Sequence, residues 1–253
     1  MIQGLSEWLP ISSTAHLKIA EMFFGIAATP LLNVTLHVGT LIVVVFYFRH
    51  DVKNILVALI HLDFKSEHGE LIPLIVLATI PTAVIGVLYA LFIGDTYQTL
   101  LVIGSTFLIG ATALYISKTG TENTSIVTFK MALILGAAQG FASFPGLSRS
   151  GVTISTALLL GLKREKAFKF SFLVSIPAIL GDLTFEAFRQ RGQFALQTLN
   201  SMNLLAGIVI AIIAGYFAIK LVSNFVKTKK FHYFSVYTWS LGAVLITLAL
   251  TGL

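Results

Sequence analysis

The chain has 253 residues, 56% of them hydrophobic and only 11% charged, and its mean hydropathy is +0.90, so it lacks the polar surface to cover a water-soluble globule. Its net charge of +6 does not mark a nucleic-acid binder, because the basic residues fall in short connections between apolar stretches rather than in one patch interleaved with aromatics. Cysteine is absent, which excludes disulfides, thiolate metal sites and cysteine nucleophiles.

The opening, MIQGLSEWLP, has no basic stretch followed by an apolar core and does not read as a cleavable signal peptide, so membrane targeting rests on the spans. Residues 1–30 are apolar but interrupted by Pro10 and the polar run Ser12-Ser13-Thr14. A spanning helix needs about 20 mostly apolar residues, and residues 31–48, 71–93 and 98–116 qualify. Residues 129–162 form a second interrupted stretch, broken at Pro145 and by the polar residues around Arg149. Further spans follow at 168–185, 203–223 and 232–252. The prediction is an all-α integral membrane protein, one domain over 1–253, with about six transmembrane helices. Its two broken segments are read as re-entrant helical hairpins, a form tolerated only where the interrupted backbone is buried in protein or lines a cavity.

If each hairpin enters and leaves on the same side, the charges sort themselves. One side receives thirteen basic residues: Arg49, Lys53, Lys65, Lys118, Lys130, Lys163, Arg164, Lys166, Lys169, Lys220, Lys227, Lys229 and Lys230. The other receives Arg189 and Arg191, with Lys18 and Arg149 inside the broken segments. The positive-inside rule makes the first side cytoplasmic. The first hairpin then opens outward and the second toward the cytoplasm. Gln3-Gly4 followed by Pro10 parallels Gln139-Gly140 followed by Pro145. Paired broken segments in opposite orientation predict an inverted-topology repeat, with halves at about 1–116 and 117–253 and a site where the tips meet. The outer loops near Asp95 and Asp182 carry few charges, which favours a cavity opening outward.

The tips concentrate the chemistry. Pro10 suits the first turn of a helix, which would set Ser12, Ser13 and Thr14 among backbone N–H groups that lack acceptors, an anion site. Ser12 and Ser13 stand four and three residues before His16, a helical spacing at which either hydroxyl can face the imidazole. At the second tip, Pro145-Gly146-Leu147-Ser148-Arg149-Ser150-Gly151, the glycines permit close backbone approach, Ser148 suits a helix N-cap, and Arg149 offers a planar fork of donors for phosphate oxygens. An arginine inside a membrane is costly and marks function, and Glu7 is an anionic companion able to hold a divalent metal or move a proton. Together these groups read as a phosphate or pyrophosphate site within the membrane.

The order Gln3-Gly-Leu-Ser-Glu7, PISSTAH, PGLSRSG resembles the undecaprenyl-pyrophosphate phosphatase family of the BacA type, over the whole chain. The resemblance implies a hydrolase of the bacterial inner membrane that converts the polyprenyl pyrophosphate lipid to the monophosphate carrier in cell-wall precursor recycling. It implies a divalent cation, magnesium or calcium, bound by Glu7. Carried over by motif, Glu7, Ser13, His16 and Arg149 form the catalytic set, with Gln3, Ser12, Thr14, Gly146, Ser148 and Ser150 in substrate binding. Either Ser13 or His16 is the nucleophile. The partners implied are the lipid substrate and membrane lipids, with a homodimer admitted. Three departures stand out: Gln3 where many members carry a second glutamate, Ala15 where glycine is usual, and fewer apolar residues before the motif, which implies a shortened first half-helix. The competing reading is a flippase or transporter, since inverted repeats with broken helices also build transporters.

Elsewhere bland readings prevail. Lys18 and Glu21 form an i,i+3 pair, His37 is a packed polar residue in its span, and His61 to His68 is a solvated loop. Lys163 to Lys166 is a topology anchor near lipid head groups, and Asp182 is either solvated or at the mouth of the site.

Overall fold

The structure, a computed structural model, describes residues 1–25, 29–94, 99–189 and 201–252. Asp95 and Arg191, which entered the charge argument, lie outside the described residues. Helices follow one another in the order α1 (Ile2–Trp8), α2 (Ser13–Phe24), α3 (Pro30–Tyr47), α4 (Arg49–Ile60), α5 (Leu71–Phe92), α6 (Leu100–Ile116), α7 (Phe129–Phe141), α8 (Arg149–Leu159), α9 (Arg164–Arg189), α10 (Ser201–Lys227) and α11 (Phe234–Thr251). Local sequence sets several starts: the Thr29, Thr99 and Thr128 hydroxyls each accept an N–H from three residues ahead, capping α3, α6 and α7.

Five helices among the described residues are long and apolar enough to cross a membrane, or six if α3 and α4 count as one bent span. All the predicted windows fall on them. The difference lies after Tyr47, where the chain turns by 83° into α4, a helix the hydropathy reading left as a connection. Arg49, Asp51 and Lys53 open α4, and a helix carrying them cannot continue through the bilayer core. By contrast α1, α2, α7 and α8 have 7, 12, 13 and 11 residues. At about 1.5 Å per residue none approaches the ~30 Å hydrocarbon thickness. Each pair is folded back at a tight tip, Leu9–Ser12 or Ala142–Ser148.

These short helices are wedged among the long ones by small residues. α1 lies on α10, where a Cβ on Gly4 would meet the Ala211 carbonyl at 2.6 Å. α7 lies on α5, with Gly136 against the Ala78 backbone and the Thr82 hydroxyl donating to the Gly136 carbonyl at 2.8 Å. Under the first tip, Trp8 stacks on Phe172 at 5.2 Å, and Phe172 in turn packs on Phe168 and Phe48.

At one end of the bundle the connections after the first, third and fifth spans are tied together by charge. Asp51 pairs with Lys169, Glu67 with Lys166 at 3.2 Å, Glu165 with Lys227 at 3.8 Å, and Glu122 with both Arg164 at 2.8 Å and Lys229 at 3.5 Å. The predicted sorting of these basic residues to one side is therefore consistent with their contacts. Arg164 is 7% exposed and bonded to Glu122, so the Lys163–Lys166 stretch locks connections together rather than serving only as a lipid-facing anchor. Likewise His68 bonds Asp51 at 3.2 Å, which makes part of the 61–68 loop structural.

Candidate active site

The two tips meet. The Gly146 N–H donates to the Ser12 hydroxyl at 3.0 Å, the Ser148 hydroxyl to the Leu9 carbonyl at 3.3 Å, and the Ser150 hydroxyl to the Trp8 carbonyl at 2.9 Å. Ser148 also caps α8 by accepting from the Gly151 N–H at 3.2 Å. Ser12 holds a positive φ of 66° and Gly146 one of 99°. A side chain at Gly146 would collide with Thr106, whose hydroxyl donates to the Pro145 carbonyl. Ser12, Gly146, Ser148 and Ser150, expected to bind substrate, thus join the hairpins. Pro10 lies in the turn between α1 and α2 rather than in the first helical turn, so Ser13, not Pro10, begins α2.

Around Glu7 the groups converge as the buried-charge argument requires. One carboxylate oxygen accepts from Arg149 Nη2 at 2.5 Å; the other accepts from the Ser13 hydroxyl at 2.7 Å and from Gln3 Nε2 at 3.0 Å. Glu7 is 6% exposed, and a carboxylate so buried is tolerable only with this number of donors. Ser13 is the first residue of α2 and Arg149 the first of α8. Each helix presents N–H groups that have no intrahelical acceptor, with the positive end of its dipole at the same place.

Ser13 and Arg149, the two partners that bracket Glu7, line a cavity of about 430 Å³. Ser13, Thr14, His37, Thr82, Gln139 and Arg149 give it polar lining, and Ala83 and Gly86 of α5 face Ala178 and Gly181 of α9 across it. Asp182, Glu186 and Arg189 line it toward the end of α9 opposite the ion-paired connections.

His16 is elsewhere. Its Nδ1 bonds the Ser12 backbone carbonyl at 2.8 Å, its Nε2 bonds the Tyr237 hydroxyl at 2.7 Å, and its ring meets the edge of Phe107 at 5.8 Å. The expected serine–histidine pair is not formed: the Ser13 hydroxyl goes to Glu7, and both imidazole nitrogens are occupied by other partners. His16 ties α2 to α11 and holds the carbonyl of the strained Ser12. Ala15 is fully buried beside Ile103 and Phe107, a space that accepts a methyl group. Lys18 and Glu21 pair at 3.7 Å, as expected for i,i+3.

His37 was passed over as a packed residue, yet it lines the cavity, with Nε2 at 3.2 Å from Gln3 Nε2 and 3.9 Å from Glu7. Gln139 was noticed only as half of a repeated dipeptide. It bonds Thr82 at 3.2 Å and the Val174 carbonyl at 3.4 Å on the cavity floor. The sequence signal for both was polarity inside an apolar stretch, which becomes informative once the neighbouring helix is known.

Among the described residues no group of three or more His, Cys, Asp or Glu is placed to cage a metal. The donor set fits a hard divalent ion held by Glu7 and by ligand oxygens from outside the protein. The Gln3 Oε1 is buried and without a hydrogen-bond partner, while the amide nitrogen faces Glu7.

The chain is similar to known proteins along nearly its whole length. The family model described as Bacitracin resistance protein BacA matches residues 1–244. The undecaprenyl-diphosphatase of Alkaliphilus metalliredigens (strain QYMF) is 36% identical over 265 residues, spanning 99% of this chain and 96% of that protein. That of Carboxydothermus hydrogenoformans is 38% identical over 262 residues, spanning 100% and 95%. The undecaprenyl-diphosphatase of Korarchaeum cryptofilum is 37% identical, spanning 98% and 96%. With a family model covering nearly its whole length and relatives this similar end to end, the chain belongs to the BacA family.

Proposed function

We propose that this protein hydrolyses undecaprenyl pyrophosphate to undecaprenyl phosphate and phosphate, regenerating the carrier lipid for cell-wall precursor synthesis. The observation that carries the chemistry is the Ser13 hydroxyl donating to Glu7, whose other oxygen holds Arg149, with Ser13 and Arg149 both lining one cavity. In this reading Glu7 takes the Ser13 proton as Oγ attacks the terminal phosphorus. The bond to the bridging oxygen breaks and the lipid monophosphate leaves. Arg149 exchanges Glu7 for the phosphoryl oxygens and, with the N–H groups at the starts of α2 and α8, stabilises the charge that develops there. Water then attacks the phosphoserine and the bond from phosphorus to Oγ breaks; Oγ takes back the proton held on Glu7, restoring the Ser13 hydroxyl, and phosphate leaves with the water oxygen and its protons. His16 serves as a tie that keeps the Ser12–Ser13 turn in place. A magnesium- or calcium-class ion, held by Glu7 and substrate oxygens, supplies charge neutralisation when bound.

In a bacterium the chain sits in the plasma (inner) membrane with the two hairpins re-entrant and related as an inverted repeat, within one domain of two halves. Support comes from the short helices, their meeting tips and the parallel glycine contacts of Gly4 and Gly140 against long helices. The Asp182 end of the cavity lies opposite the basic connections, which favours access from outside. A homodimer surrounded by membrane lipids belongs to the same reading. To test access, Thr14→Cys in this cysteine-free chain places a thiol in the cavity; position 15 is buried and unsuitable. An impermeant thiol reagent added to intact cells is expected to label it. Labelling only from the cytoplasmic face overturns outward access and leaves the chemistry standing.

The competing transporter reading shares the fold but does not require a hydroxyl bonded to a carboxylate. Detergent-solubilised protein supplied with the lipid pyrophosphate separates the two, since detergent offers no membrane to cross. One phosphate released per pyrophosphate, suppressed by chelator and recovered on adding magnesium, is the expected result. Lipid binding without phosphate release would assign transport instead.

A further inference from the structure

One side chain on the cavity floor has no part in the chemistry so far. His37 lies on α3, and its Nδ1 is 2.9 Å from the Asn33 carbonyl one turn back. A carbonyl only accepts, so Nδ1 carries the ring proton and Nε2 of the neutral ring is a lone pair. That lone pair faces Gln3 Nε2 at 3.2 Å, while the same amide nitrogen donates to Glu7 at 3.0 Å. Both amide hydrogens are then engaged, one on the imidazole and one on the carboxylate. The reversed amide would aim its oxygen at two acceptors, so the ring dictates which way Gln3 points. Gln3 is 1% exposed, and its orientation is protected from water.

We infer that His37 is a positioning residue for the hydrolysis: it fixes Gln3 through Nε2, and Gln3 in turn holds the Glu7 oxygen that receives the Ser13 hydroxyl. This rests on the reading of Glu7 as the base. It also gives a physical reason why glutamine at position 3 works beside a neutral histidine: the amide donates in both directions, as a carboxylate cannot. His37 touches the reaction through two intermediaries, although its ring lines the cavity.

The test is a cycle of His37→Ala, Gln3→Ala and the double variant, with kcat and KM for phosphate release measured in detergent. Each single change is expected to lower kcat by about 10- to 100-fold, the usual range for groups that orient a ligand residue, with KM little altered. The double variant should be no worse than the poorer single, because both remove one chain of contacts. His37→Gln, whose amide oxygen reaches the place of Nε2, should recover most of the activity. Losses that multiply in the double variant, or a change confined to KM, would mean that His37 acts on substrate directly and would overturn the inference. Unchanged kcat in His37→Ala would overturn it too. If Glu7→Gln is itself active the fault lies in the base assignment; if Glu7→Gln is inactive while His37→Ala is normal, only the His37 role fails.

Discussion

Glu7→Gln is expected to lower kcat for phosphate release by about 10³-fold, within the range that general-base catalysis contributes. The amide keeps the size of the side chain and one oxygen, so Arg149 and Ser13 retain a neighbour, but that amide oxygen is too weak a base to take up the serine proton. Glu7 is also the anion to which Arg149 is bonded at 2.5 Å. Neutralising one member of a buried pair leaves the other charge uncompensated, at a cost of about 3–5 kcal/mol when the partner is removed outright. Thermal unfolding in detergent must therefore accompany the kinetics. A folded Glu7→Gln protein with near-normal turnover would remove the carboxylate from the chemistry, whatever its part in the fold.

Arg149→Lys is expected to lower kcat by about 10²- to 10³-fold, the loss associated with one missing donor to a developing oxyanion, while the protein stays folded. Lysine preserves the charge and so the pairing with Glu7. What it loses is the planar fork that grips a phosphoryl group with two parallel N–H bonds. The position matters as much as the charge, since Arg149 opens α8 directly behind the Ser148 cap and its guanidinium must reach both Glu7 and the cavity. Phosphate release from the purified lysine variant checks this, and near-wild-type turnover would show that only a diffuse positive charge is required.

The spans were legible because apolar length needs no tertiary knowledge, and the pairing of Glu7 with Arg149 was legible because two opposite charges in a membrane have few other companions. His16 does not pair with a serine hydroxyl, for a local reason. The i,i+3 and i,i+4 spacing places two side chains together only if both belong to one helix, but Ser12 sits outside α2 with φ of 66° and Ser13 is its first residue. The phase is lost for Ser12 only; Ser13 shares α2 with His16, but its hydroxyl goes to the Glu7 carboxylate while His16 turns to Phe107 and Tyr237. The serines of the tips also join the hairpins, because an anion site and a seam between two chain reversals call for the same residues. His37 was hidden for a different reason: it lies 34 positions from Gln3, and its meaning appears only when α1 packs on α3. The bend after Tyr47 was foreshadowed by the charges of α4, which hydropathy averages over.

The central claim is that Ser13 carries the transferred phosphoryl group after giving its proton to Glu7. Stereochemistry at the transferred phosphorus tests it most directly, using a lipid pyrophosphate whose terminal phosphorus is made chiral with sulfur and oxygen isotopes. Transfer to Ser13 and then to water consists of two in-line displacements, so the released thiophosphate should show net retention. Net inversion would mean that water attacks the pyrophosphate in one step, and would contradict the assignment of Ser13 as nucleophile.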